Sequence, residues 1–172
     1  MRNRARSGFT LIELLVVIAI IGLLSTLAVV ALNSARQRSR DAKRVADIRQ
    51  IQTAMELAFS ETNTYPAVAS ASTLGTGNFL VLCKNTLSTD PAKFEDITTD
   101  CTGTVYMGLV PANPSPNGAA YTYTSLTSAG AACTSTPCAS YRLTFNLEGA
   151  TGQLGSGNNC ANPSGIVAGS SC

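Results

Sequence analysis

The sequence predicts an α+β protein: a long N-terminal α-helix, apolar then amphipathic, packed against a small antiparallel β-sheet domain. Three observations predict it. Leu14–Leu32 is a run of 19 residues without a charge. From Asn33 to about Thr62 there is no Pro or Gly, and apolar residues recur every three or four positions, the period of one helical face. The remainder is polar and rich in Ser, Thr, Gly and Asn, with short segments alternating apolar and polar, as half-buried strands do. At 172 residues the chain accommodates a long helix and one small domain. We divide it into residues 1–8, a leader; 9–62, a stalk helix with 9–32 as its membrane part; and 63–172, a β-rich globular domain.

The N-terminus comes first. Residues 1–8 read MRNRARSG, with Arg2, Arg4 and Arg6 and no acid. A helix rises about 1.5 Å per residue, so Leu14–Leu32 spans about 28 Å, the thickness of a bilayer's hydrocarbon core. The arginines predict a cytoplasmic N-terminus. The apolar stretch is too long for an ordinary secretory signal, and no A-x-A cleavage site follows it. Its length and lack of charge also argue against a buried core helix. A lone carboxylate, Glu13, opens this apolar segment; it costs several kcal/mol unless partnered, which makes it a functional candidate.

Gly8-Phe9-Thr10-Leu11-Ile12-Glu13 followed by an apolar run resembles the N-terminal signal of type IV prepilins and type II secretion pseudopilins. The resemblance implies a pilin-like fold, cleavage after Gly8 by a prepilin peptidase and N-methylation of the new Phe9 amine. It also implies that the cut precedes the apolar segment, so the mature chain keeps its anchor. The expected product is a homo-oligomeric helical filament, assembled by an inner-membrane platform protein and a cytoplasmic ATPase, in which Glu13 meets the N-terminal amine of a neighbouring subunit. Such a pair neutralises two charges that are costly among apolar helices, and it fixes register. Gly22, Ser25 and Thr26 interrupt the apolar helix. Related pilins can unwind there, and many carry a proline where this chain has Val30.

Beyond the membrane part, Val45, Ile48, Ile51, Met55 and Phe59 form one stripe, flanked by Ala42, Ala54 and Ala58. Lys43 and Asp47, four apart, fall on the polar side. The stripe needs a cover, which the C-terminal domain would supply. Nine of the twelve basic residues precede Gln50, five of them being Arg36, Arg38, Arg40, Lys43 and Arg44. This cluster is read first as a solvated face paired with acids of neighbouring subunits, second as a contact for membrane lipid headgroups, and last as a nucleic-acid contact. Arg40–Pro66 again resembles pilins and above all the major pseudopilin kind, whose stalk ends in a polar turn and Tyr-Pro, here Tyr65-Pro66. Proline stops the helix and biases Tyr65 to an extended backbone.

In the C-terminal part, strands are expected at Phe79–Cys83, Val105–Val110, Ala120–Ser125 and Ser140–Leu147. Residues 67–78 read as a flexible connector, Pro111–Gly118 as a turn, and the tail from Gly149 as mostly loop. The six cysteines, Cys83, Cys101, Cys133, Cys138, Cys160 and Cys172, all lie here. With no histidine and no C-x2-C pair, a zinc site is disfavoured and disulfides in an oxidising compartment are favoured. Six cysteines allow fifteen pairings, and spacing does not choose among them. Pairing of sequence neighbours (Cys83–Cys101, Cys133–Cys138, Cys160–Cys172) is preferred, with free buried thiols as the alternative. Asp90, Glu95, Asp96 and Asp100 raise the question of calcium, which some major pseudopilins bind, but their spacing fits no EF-hand and a solvated acidic loop is the better reading.

The absence of histidine removes Ser-His-Asp and Cys-His catalysis, and there is no glycine-rich phosphate loop, so no enzyme, metal or cofactor is expected. Two functions remain. One is a filament subunit that waits in the inner membrane with its C-terminal domain outside the cytoplasm and then joins a surface or periplasmic filament. The other is a single-pass anchored binding domain that does not polymerise.

Overall fold

A computed structural model describes residues 8–86, 91–96 and 101–172. Most of the leader, with Arg2, Arg4 and Arg6, lies outside the described residues, as do Asp90 and Asp100. The chain forms two compact units, Met1–Gln37 and Arg38–Cys172. Helix α1 runs Leu11–Thr62, without a break at Gly22, Ser25 or Thr26. The Ser25 and Thr26 hydroxyls donate to the carbonyls of Ile21 and Leu23 on their own helix, at 2.7 and 2.8 Å. Hydroxyls on an apolar face are thereby satisfied without water. The helix ends where Asn63 turns into the left-handed region (φ 56°), its N–H still donating to Phe59 O at 2.8 Å. Asparagine is one of the few residues that adopts this cap conformation readily.

Among the described residues of the second unit the strands are β1 (Ser72–Thr73), β2 (Val81–Lys84), β3 (Ala92–Glu95), β4 (Val105–Met107), β5 (Thr122–Leu126), β6 (Ser140–Leu147), β7 (Gly157–Asn162) and β8 (Gly165–Ala168). They form a five-stranded sheet, β1-β5-β6-β7-β8, and a three-stranded sheet, β3-β2-β4, antiparallel throughout. The α+β, pilin-like architecture is therefore present. The expected stripe is the core-facing side of α1: Ile48, Ile51, Ala54, Met55 and Ala58 are buried. Opposite it, β6 alternates strictly, burying Tyr141, Leu143, Phe145 and Leu147. Burying a large apolar side chain contributes about 1.5–3 kcal/mol, so this face fixes the register of β6. Tyr65 sits at the end of the same core, its ring 4.6 Å from Phe59 and 4.8 Å from Tyr141.

The six cysteines pair as Cys83–Cys101, Cys133–Cys138 and Cys160–Cys172, leaving no free thiol. Other features differ from expectation. Residues 67–78 are not a flexible connector. The N–H of Val68 donates to Ser125 Oγ at 2.7 Å, that of Leu74 donates to Tyr121 O at 2.9 Å, and β1 pairs with β5. Backbone groups in this stretch thus find partners on the sheet, and Leu74 is buried. The tail from Gly149 lies mostly outside strands, as expected, but β7 and β8 within it form a hairpin on the sheet edge. Its turn is made by Asn162 Oδ1, which accepts from the N–H of Ser164 and of Gly165 at 2.8 and 3.1 Å. The first expected strand begins two residues late, because Gly77–Phe79 is a 3-10 turn. The second stops at Met107, and Val110 instead donates to Leu80 O at 2.7 Å. Glu95, expected on a solvated loop, is buried in β3.

Candidate processing and assembly site

Gly8, Phe9 and Thr10 precede the helix, and every residue from Gly8 to Arg36 is exposed, Phe9 by 81%. Thr10 is the N-cap and Glu13 the third helical residue. The Thr10 N–H and hydroxyl donate to Glu13 Oε2 at 2.9 and 2.7 Å, and Thr10 Oγ1 accepts from the Glu13 N–H at 3.3 Å. This reciprocal pattern is a capping box, which satisfies donors that a helix start leaves unpaired. Phe9, Ile12, Val16 and Val17 surround the carboxylate with apolar side chains. In the single chain, then, Glu13 is held on its own helix start one residue from Phe9. Sequence reasoning missed this role, although Thr-x-x-Glu before an apolar run is its signature. Among the described residues, every position from Leu14 to Leu32 is exposed.

A second constellation lies where α1 enters the second unit. Arg44 is completely buried. Its Nη1 donates to Asp41 Oδ1 at 2.6 Å and Glu148 Oε1 at 2.7 Å, and its Nε to Asn113 Oδ1 at 2.8 Å. Nη2 donates to the carbonyls of Pro114 and Asn117. Arg40 grips Glu148 with both ends of its guanidinium, at 2.7 and 2.6 Å. Asp41 in turn accepts from the N–H groups of Glu148 and Gly149, at 3.0 and 2.9 Å. Arg40, with Arg44 and Asn117 adding to it, holds the Glu148 carboxyl at about 2. Two of the five clustered basic residues are thus internal clamps, which corrects the expectation of a solvated face. Arg44 also fastens the Pro111–Gly118 loop onto the helix.

Asp47 is corrected too. It is buried and accepts from Tyr121 Oη at 3.1 Å; burial raises its carboxyl, opposed by that hydrogen bond and by Lys43. Glu61 accepts from Lys84 Nζ and Tyr106 Oη, both at 2.7 Å. Lys84 is the main reason its carboxyl lies below the usual range. Among the described residues, no group of three or more His, Cys, Asp or Glu is placed to hold a metal ion.

The family model for the prokaryotic N-terminal methylation motif matches residues 3–29. Type II secretion system core protein G of Aeromonas hydrophila is 31% identical over 96 residues, covering 56% of this chain and 63% of that protein. The type IV major pilin protein PilA of Myxococcus xanthus is 38% identical over 69 residues, 40% of this chain and 30% of that one. Over part of its length the chain is similar to a pilin and to pseudopilins. Core protein G of Klebsiella michiganensis matches as well, at 35% over 66 residues, 38% of this chain and 46% of that protein. The chain spans less than two thirds of the length of each of these relatives. No solved structure matches it. Pilins and pseudopilins are structural subunits, not enzymes. The chain combines a match to the N-terminal methylation motif over residues 3–29 with a helix long and apolar enough to cross a membrane.

Proposed function

We propose that the chain is a structural subunit of a type IV pilus-like or type II secretion pseudopilus filament. It is cut after Gly8 by a prepilin peptidase and N-methylated at Phe9. Leu14–Leu32 holds it in the inner membrane, with the N-terminus cytoplasmic and the disulfide-bonded part outside. A platform protein and an assembly ATPase then move it into a helical filament built from copies of itself. The observation that carries this reading is the motif Gly8–Glu13 standing directly before an apolar helix that buries none of its side chains within the chain.

Two details support it. Among the described residues nothing lies within 4 Å of where a Cβ on Gly8 would sit, so no packing there calls for a glycine. A glycine the fold does not need suits recognition by another protein, here the peptidase. Glu13 already accepts hydrogen bonds at the helix start. Cleavage would create a charged amine at Phe9 just ahead of this carboxylate. Exchange of the Thr10 contacts for a neighbour's amine then replaces hydrogen bonds from neutral donors with an ion pair that neutralises both charges.

Intact-mass measurement of the purified chain is expected to find it beginning at Phe9 and heavier by one methyl group. A chain still beginning at Met1 and unmethylated defeats the proposal. Glu13→Ala is expected to leave the chain in the membrane fraction while filaments fall at least tenfold. A variant that assembles normally, or a wild-type chain that never polymerises, would favour the anchored binding domain instead.

A further inference from the structure

We infer that the outward face of α1 in the second unit packs beside the same face of a neighbouring copy, displaced by two helical turns so that Arg49 of one chain meets Glu56 of the next. The inference deepens the filament reading, which supplies its partner, a second copy.

Ala42, Ala46, Arg49, Thr53, Glu56 and Ser60 are all exposed and follow one another at alternating steps of four and three residues. At about 100° per residue they fall in a stripe about 80° wide, on the side of α1 away from buried Ile51 and Ala58. An average step of about 3.5 residues is the one at which neighbouring helices keep a single seam in contact. Four of the six side chains are small, so another helix can approach closely.

The other two are charged, and neither is neutralised within the chain. Among the described residues the Arg49 guanidinium has neither an ion pair nor a hydrogen bond. Glu56 accepts from the neutral Tyr65 hydroxyl at 3.0 Å and has no cationic partner. The remaining described acids of the second unit are placed differently. Asp41, Glu61, Glu95 and Glu148 are ion-paired, and Asp47 is buried. Asp96 is exposed without an ion pair but lies just after β3, off the stripe. A cation and an acid on one face, each without a counter-ion, are complementary to a second copy of that face.

Copies drawn from one membrane by the same end run parallel. That excludes a two-fold pair in which Arg49 and Glu56 answer each other reciprocally. Set level, parallel copies place Arg49 beside Arg49 and Glu56 beside Glu56, and like charges repel. Raising one copy by seven residues, about 10.5 Å along the axis, brings its Arg49 level with Glu56 of the lower copy. The same displacement sets Ala42 level with Arg49, Ala46 with Thr53 and Thr53 with Ser60, so no like charges face. Copies wound about a common axis with the stripe inward use Arg49 toward one neighbour and Glu56 toward the other. The contact is heterologous and does not close, which generates an open helical filament.

The test uses the full-length chain in its membrane, with filaments counted and membrane levels checked by blotting. Arg49→Glu is expected to reduce filaments about tenfold or more at unchanged membrane level. Pairing it with Glu56→Arg restores them to within about threefold of wild type, because the two charges have changed places. Cysteines read the displacement without touching either charge. The double variant Ala46→Cys with Thr53→Cys is expected to give a ladder of disulfide-linked multimers from oxidised filaments, while each single variant stays monomeric. Normal filaments from Arg49→Glu overturn the interface and leave the filament reading standing. Recovery with Asp96→Lys in place of Glu56→Arg overturns the choice of acid. Dimers from either single cysteine variant, or no ladder from the double, overturn the displacement. A wild-type chain that makes no filament overturns both the filament reading and this inference.

Discussion

Arg44 shows how one residue can join a helix, a loop and a sheet. Its fully buried guanidinium faces two carboxylates, an amide oxygen and two carbonyls. A buried charge of this kind is tolerated only with partners of this density, and removing one member leaves the others uncompensated. Arg44→Ala is expected to destabilise the chain by about 3–5 kcal/mol. For a unit of this size that lowers the unfolding temperature by on the order of 10 °C. Arg40→Ala should do much less, because Arg40 is partly exposed and Glu148 keeps Arg44. Melting curves of the two variants check this, and equal shifts would refute the division of roles. The clamp was hidden from sequence reasoning because Arg44 sits among four other basic residues. A signal was nevertheless there: Asp41, Arg44 and Asp47 fall three apart and run in phase with Ile48 and Ile51, so the buried stripe begins polar. Glu13 was legible as a functional candidate from its cost in an apolar segment, whereas its pairing with Thr10, written in the Thr-x-x-Glu spacing, was overlooked.

At the scale of elements, legibility followed side-chain chemistry. α1 could be placed from its apolar run, its stripe and its Tyr-Pro end, and β6 from alternation of large side chains. β7 could not, since Gly157-Asn158-Asn159 disfavours strands by propensity and only the burial of Asn159, Cys160 and Ala161 shows the packing that makes it one. The segment before β2 was misjudged for a related reason, because small residues suggest flexibility until their backbone partners are known. Gly75 gives that point a test. It has φ +73°, and a Cβ there would lie 2.7 Å from the backbone nitrogen of Ala112. Gly77 shares a positive φ, +52°, but faces open space. Substituting Gly77 with Ala should cost roughly 1–2 kcal/mol from the left-handed backbone alone. Gly75→Ala should cost about 1–3 kcal/mol more, because backbone meets backbone and neither can move aside. Denaturant midpoints of the two variants measure the difference. Equal midpoints would mean that residues 67–78 yield as a flexible connector would.

Taken as a whole molecule, the chain places its apolar stretch and most of its basic residues first and all six cysteines from Cys83 onward, so the two parts of the sequence suit different surroundings. The three disulfides join sequence neighbours with separations of 18, 5 and 12 residues. Loop-closure entropy assigns them about 3, 2 and 3 kcal/mol. Their sum, about 8 kcal/mol, is comparable with the whole stability of an ordinary domain, about 5–15 kcal/mol. The three bonds also tie separate places: β2 to the loop before β4, the Cys133–Cys138 loop to Tyr65 through the Tyr65 N–H on Cys138 O at 3.1 Å, and the C-terminus to β7. Reduction therefore loosens both sheets and the end of α1 together. With all three bonds reduced, the second unit should melt lower by on the order of 20 °C. Circular dichroism with and without a thiol reductant at neutral pH reads this directly. The expectation carries to the proposed assembly: a second unit kept reduced would not hold its surface in fixed positions, so oxidation is expected to precede filament growth. Adding the reductant during growth should stop new filaments while the chain stays in the membrane. Undiminished growth, or a melting temperature within a few degrees of the oxidised chain's, would show that packing alone holds the unit together.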